Sequence, residues 1–188
     1  MRPVGPLDPP VTRIGVAIDI PEPWGPLLTR RRAEAGDPQA AWTPAHVTLL
    51  GPTEIDPEAL PRIEKHLGAV AAEHRPFSIH LRGTGTFRPV TEVVFVTLAV
   101  GISECELLAE AIVAAPGVHR DSRFPYHPHV TVAQDVPGAA LDAVFDDLAE
   151  FDARFEVPGF TLFSHDLTDG ERPWRRRREY TLGGLRHP

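Results

Sequence analysis

The chain has 188 residues, 42% of them apolar, which suits one compact domain or two small lobes sharing a core. Its net charge of −7 argues against a large nonspecific nucleic-acid surface, which is ordinarily markedly basic, and leaves room only for a small basic cleft. The single cysteine, Cys105, excludes an intramolecular disulfide and a thiolate zinc cluster, and no apolar run approaches the ~20 residues of a membrane-spanning helix.

Residues 1–12 read as an irregular arm, with prolines at 3, 6, 9 and 10 and none of the basic-then-apolar layout of a signal peptide. A cytoplasmic, membrane-free protein is therefore expected. Alternation of Ile14, Val16 and Ile18 predicts a strand from Arg13 to Ile20. Glu22 to Ala35 reads as helical up to Gly36-Asp37-Pro38. A strand about 45–50 stops at Gly51-Pro52. Asp56 before Pro57 then looks like a helix cap and first helical position, and Leu60, Ile63, Leu67 and Val70 carry helical spacing to about His74. Phe77, Ile79 and Leu81 alternate as a strand, Gly83-Thr84-Gly85 reads as a turn, and Val93 to Val100 as another strand. Ser103 is a candidate cap for a helix through about Ala115. A strand about 129–133, a helix near 139–150, short strands at Phe155–Val157 and Phe160–Leu162, and a last strand near Glu179–Leu182 complete the pass. The helix–strand order repeats about the middle of the chain, which hints at a duplicated α+β unit.

Two four-residue words carry the chemistry: His46-Val47-Thr48-Leu49 and His129-Val130-Thr131-Val132, 83 positions apart. The strand period of two puts each His and its Thr on one face and the apolar residues on the other. A sheet that buries Val47, Leu49, Val130 and Val132 thus presents two His/Thr pairs on its open side. Histidine exchanges a proton near neutral pH, and a threonine hydroxyl two residues on offers a donor to an anionic oxygen. A lone His in a strand is ordinarily a hydrogen-bonded structural residue, and a lone Thr is ordinary in any strand. The matched pair is what points to catalysis or phosphate binding.

This arrangement resembles the 2H phosphoesterase superfamily, and its flanks look most like the branch of 2'-5' RNA ligases and RNA 2',3'-cyclic phosphodiesterases. The first word runs into Leu50-Gly51-Pro52, the second follows Phe124-Pro125-Tyr126-His127-Pro128, and Phe87-Arg88-Pro89 and Val93-Val94-Phe95-Val96 lie between. The resemblance spans about residues 13–183, as one bilobal domain. It implies an α+β fold of two pseudo-symmetric lobes, each an antiparallel sheet with outer helices, around a central cleft. It also implies a phosphoesterase, independent of metal or other cofactor, that opens 2',3'-cyclic phosphates of RNA ends or small nucleotides to 2'-phosphates, with 2'-5' RNA ligation in reverse. Family pattern makes His46 the proton donor and His129 the acceptor, with Thr48 and Thr131 on the phosphate.

Around that pair the readings stay open. Tyr126 and Phe87 are candidates to stack on a base or to pack in the core, and Arg88 to pair with phosphate. His127 is a candidate partner of His129 or a solvated residue at the strand start; no third ligand accompanies them in the manner of a zinc site. Arg175 to Arg178, helped by Arg172, reads as a solvated edge or as a guide for phosphorylated ends. The chain departs from the branch at Gln134, where an arginine is frequent, and an insert around Ala33–Trp42 is expected to reshape one rim. A monomer is expected. A non-catalytic RNA- or nucleotide-binding protein using the same cleft is the alternative.

Overall fold

The alternation of Ile14, Val16 and Ile18 becomes strand β1 (Thr12–Asp19) in the computed structural model, which describes residues 12–119, 124–166 and 174–183. Nearly all of the proposed amino-terminal arm, and Arg172, lie outside the described residues. Next come α1 (Trp24–Glu34), a 3-10 turn at Pro38–Ala41, β2 (His46–Ile55) and α2 (Leu60–Glu73). The chain then forms β3 (Phe77–Thr86), β4 (Val93–Val100), α3 (Ile102–Val113), β5 (His129–Gln134) and α4 (Gly138–Asp147). It ends in β6 (Asp152–Val157), β7 (Gly159–Asp166) and β8 (Arg175–Thr181).

The eight strands form two four-stranded antiparallel sheets, in the orders β2-β1-β7-β8 and β5-β4-β3-β6. The two motif strands, β2 and β5, are edge strands, one in each sheet, and they touch across the middle. The sequence repeat and the lobes are not the same units. β3, from the first half, completes the second sheet, while β7 and β8, from the second half, complete the first. The helices cross over too, α1 packing near β5 and α3 near β2. This exchange gives one continuous apolar core, including Ile14, Leu49, Ile63 and Leu67 with Val96, Leu108, Val130 and Leu141. Each such side chain contributes roughly 1.5–3 kcal/mol on burial.

Local chemistry explains the boundaries. Asp56 caps as expected, its carboxylate accepting from Glu58 N at 2.9 Å, although a 3-10 turn at Pro57–Ala59 precedes α2. The apolar stripe Leu60, Ile63, Leu67 and Val70 is buried on α2, as its spacing requires. Ser103 is not the cap of α3: Gly101 stands there with φ +94, a conformation that disfavours any side chain, and so starts the helix two residues earlier. Gly83-Thr84-Gly85 is not a turn either. β3 runs through it, with a break in register between Leu81 and Thr84 that Gly83 accommodates at φ +67.

Candidate active site

Strand phase puts His46 and Thr48 on one face of β2, and Val47 and Leu49, at 0% and 1% exposure, on the other. In β5, His129 and Thr131 face outward while Val130 and Val132 are fully buried. In both strands the ladder slips just after the threonine. Thr48 pairs with Ala17 but Leu50 with Val16; Thr131 pairs with Phe95 but Ala133 with Val94. The fourth motif residue, Leu49 or Val132, is thus the extra residue of a bulge, a device that re-aims neighbouring side chains. After it, Leu50 and Ala133 are buried in their turn, and Gly51 and Gln134 return to the cleft.

All four motif side chains line one cleft of about 520 Å³ between the sheets. Each imidazole is fixed in the same way. His46 Nδ1 meets the Pro44 carbonyl at 2.7 Å, and His129 Nδ1 meets the His127 carbonyl at 2.7 Å. A carbonyl only accepts, so Nδ1 carries the proton in both rings and Nε2 faces the cleft. His46 Nε2 is 3.1 Å from the Thr48 hydroxyl; among the described residues, His129 Nε2 has no such bond. Burial pushes the pKa of both rings below the ordinary value, and the backbone carbonyl opposes it in each case. For His46, Arg32 lowers it further and Asp19 raises it, whereas His129 feels only the neighbouring imidazoles of His127 and His46, which lower it.

Phe87, Arg88, Tyr126 and His127 do not line the cleft. Phe87 packs against Phe95 at 4.4 Å and edge-on against His129 at 5.0 Å. His127 stacks near His129 at 6.1 Å and meets the same two phenylalanines. Tyr126 donates its hydroxyl to the Thr48 carbonyl at 2.8 Å and so ties the β5 approach to β2. The Arg88 guanidinium is held by Asp142 at 2.7 Å, away from the cleft. These residues brace the motif strands; a partner on α4 replaces the expected phosphate contact of Arg88.

The structure adds residues that pattern reading passed over. Asp19, opposite His46, accepts from Thr161 at 2.9 Å and from Arg176 at 3.0 Å, and Arg176 also pairs with Glu179. The arginine run lies on β8, an edge strand: Arg176 reaches the cleft, Arg177 pairs with Glu64, and Arg178 lies over the Tyr180 ring. The insert does form a rim. Arg32 and Asp37, with side chains 3% and 0% exposed, make a 2.6 Å ion pair, and Asp37 also caps Gln39 N at 2.8 Å. The insert thereby carries Gln39 and Trp42 to the cleft, and Gln39 reaches Asp135 of the opposite lobe at 3.4 Å. Only the length of the insert hinted at this.

Among the described residues, no three His, Cys, Asp or Glu side chains stand close enough to hold a metal ion together, and no helix is long and apolar enough to cross a membrane. The arrangement offers two opposed imidazoles with Nε2 inward and two hydroxyls. Such a set can give a proton, take a proton and hold an anion between them.

Comparison with known proteins agrees with this geometry. A Geobacillus kaustophilus protein with a provisional phosphoesterase name is 29% identical over 150 residues, covering 79% of this chain and 84% of its own. A similarly named Bacillus cytotoxicus protein is 30% identical over 125 residues, covering 64% of this chain and 69% of its own. Escherichia coli LigT in its apo form superposes with a TM-score of 0.65 at 21% identity, covering 92% of this chain and 98% of that one; it is also known in complexes with 3'-AMP and with phosphate. TT0787 of Thermus thermophilus gives 0.62 at 24% identity, with 92% and 99% covered. These structural likenesses establish the shared two-sheet fold. The model of the 2'-5' RNA ligase superfamily matches residues 20–169, most of the chain and both motifs, so this chain belongs to that superfamily of 2H phosphoesterases.

Proposed function

We propose that the protein hydrolyses 2',3'-cyclic phosphates, on RNA ends or small nucleotides, to 2'-phosphates. The observation that carries this reading is the placement of His46, Thr48, His129 and Thr131 on one cleft from two edge strands. Opening the ring requires a water deprotonated on one side of phosphorus and a proton delivered to the departing 3'-oxygen on the other. Two opposed imidazoles perform both transfers, each worth on the order of 10²–10⁴ in rate. His129 is the base: its Nε2 faces the cleft and its pKa is held low, so it is neutral and open to a water. His46 is the acid: it has the carboxylate of Asp19 nearby, and a bound phosphate anion adds a second charge favouring its imidazolium. Thr48 and Thr131 donate to the equatorial oxygens as charge develops there. That LigT binds 3'-AMP and phosphate in a fold of this kind supports a nucleotide phosphate as ligand.

The test is a panel of 2',3'-cyclic mononucleotides and cyclic-phosphate-ended oligonucleotides, assayed with chelator present. Release of 2'-phosphate in chelator is the expected result. Tight binding of RNA ends with no turnover of any substrate would overturn the reading in favour of a binding protein, and activity restored only by an added divalent metal would overturn the two-histidine mechanism.

A further inference from the structure

One buried cation of the cleft takes no part in the proton transfers. Arg32 stands in the last turn of α1 with its side chain 3% exposed, and it lines the cleft together with His46, Thr48, His129 and Thr131. Its placement follows from the helix. Thr29, one turn earlier, accepts from the Ala45 N–H at 2.9 Å, which lays this face of α1 against the start of β2, and α1 packs near β5 as well. Arg32 therefore sits where the two motif strands come together, near enough for His46 to feel its charge. Asp37 holds the guanidinium through Nε, at 2.6 Å; among the described residues neither Nη atom has a hydrogen-bond partner. Burying a guanidinium is costly unless its donors are met, so the four N–H bonds left over invite an acceptor in the cleft. Arg176, the other arginine lining the cleft among the described residues, has no such capacity. Its Nη atoms are engaged by Asp19 at 3.0 Å and by Glu179 and Thr161, and Gln134 brings no charge.

We propose that Arg32 is a phosphate-binding residue of this cleft, its Nη edge donating to the scissile phosphate while Asp37 fixes the guanidinium from behind. The inference rests on the phosphoesterase reading above. A guanidinium edge matches the spacing of two phosphate oxygens, and such charge-assisted bonds are about twice as strong as neutral ones. A donor of that kind in a buried site is worth about tenfold or more in affinity.

The experiment is calorimetric titration of the full chain with adenosine 2'-phosphate, with circular dichroism as the folding control. Arg32→Gln combined with Asp37→Asn replaces the ion pair by an uncharged pair of similar shape, and should bind the ligand at least about tenfold more weakly than wild type. Asp37→Asn alone keeps an acceptor for Nε and the cation in place, and should bind at least as tightly as wild type. A merely structural ion pair would make both variants lose affinity alike. Arg178→Gln removes an exposed charge away from the cleft and should change nothing. Wild-type crystals grown with inorganic phosphate should show one of its oxygens about 3 Å from an Arg32 Nη atom, which decides the matter even if neither variant at the pair folds. Unchanged affinity in the folded double variant, equal losses in it and in Asp37→Asn or Arg178→Gln, or a phosphate seated beside His46 and His129 beyond reach of Arg32 would overturn the role of Arg32 alone. Failure of wild type to bind adenosine 2'-phosphate would overturn the phosphate site, and with it the function on which that role rests.

Discussion

In β2 and β5 alike, the imidazole Nδ1 meets the carbonyl two residues back and the fourth motif residue bulges from the ladder, yet the two histidines live in different surroundings. His129 is wedged among Phe87, Phe95 and His127, whereas His46 stands beside a polar group, Asp19 with Thr161 and Arg176. The comparison separates two requirements. Proton transfer to both sides of phosphorus needs symmetric placement of two rings. Giving two such rings unlike proton affinities needs unlike surroundings. A duplicated strand supplies the first, and divergence of its neighbours supplies the second.

The largest expected effect is on rate. His46→Ala or His129→Ala should each lower turnover of a 2',3'-cyclic nucleotide by at least roughly 10², read from initial rates. The proposed roles then break the symmetry. A p-nitrophenyl phosphodiester, whose leaving group departs without a proton, should restore turnover to His46→Ala and not to His129→Ala. Equal rescue of both variants would remove the acid and base assignments.

Stability should distinguish the two sides next. Asp37→Ala strands the buried Arg32 guanidinium and removes the Gln39 cap on the His46 side, at a cost of about 3–5 kcal/mol in urea unfolding. Phe87→Ala loosens the packing around His129 and should cost about 1.5–3 kcal/mol, with kcat falling more than KM rises. An unchanged kcat in the folded Phe87 variant would show that the aromatic wedge does not hold the base in position.

Much of this comparison is legible in the sequence, and the remainder is hidden for identifiable reasons. Local signals survive intact: the phase of Val47, Leu49, Val130 and Val132, the stripe on α2 and the Asp56 cap all follow from spacing and side-chain chemistry. Gly83 and Gly101 mislead because a glycine signals unusual φ without saying whether it serves a turn, a bulge or a helix start. The exchange of strands between the lobes depends on pairing between distant segments, so the place of Arg176 beside Asp19 leaves no local trace. Arg88 shows the converse. Its charge suggests phosphate, but Asp142 on α4, 54 residues away, satisfies it.

The pH dependence gives a smaller effect that tests the electrostatics. On the proposed roles the free enzyme needs His46 protonated and His129 neutral, and burial lowers the pKa of both from the ordinary value near 6.5. Lowering the base's pKa moves the acid limb of kcat/KM down, and lowering the acid's moves the alkaline limb down, so the bell should centre below pH ~6.5. In the complex the phosphate charge raises the pKa of His46, and kcat should therefore persist to higher pH than kcat/KM. An alkaline shift of the whole kcat/KM bell would contradict the lowering of both pKa values by burial. Smaller still, Thr48→Ala and Thr131→Ala should each cost about 1–3 kcal/mol of transition-state stabilisation, seen in kcat/KM.

The central claim is that His46 and His129 act on one phosphate as a unit across the cleft. A double-mutant cycle tests it most directly, with initial rates on a 2',3'-cyclic nucleotide for wild type, His46→Ala, His129→Ala and the pair, and circular dichroism to establish folding. The account predicts that the double variant is little worse than the poorer single variant, because the second group has nothing left to do once the first is gone. Losses that multiply independently, or wild-type turnover by the folded double variant, would contradict it.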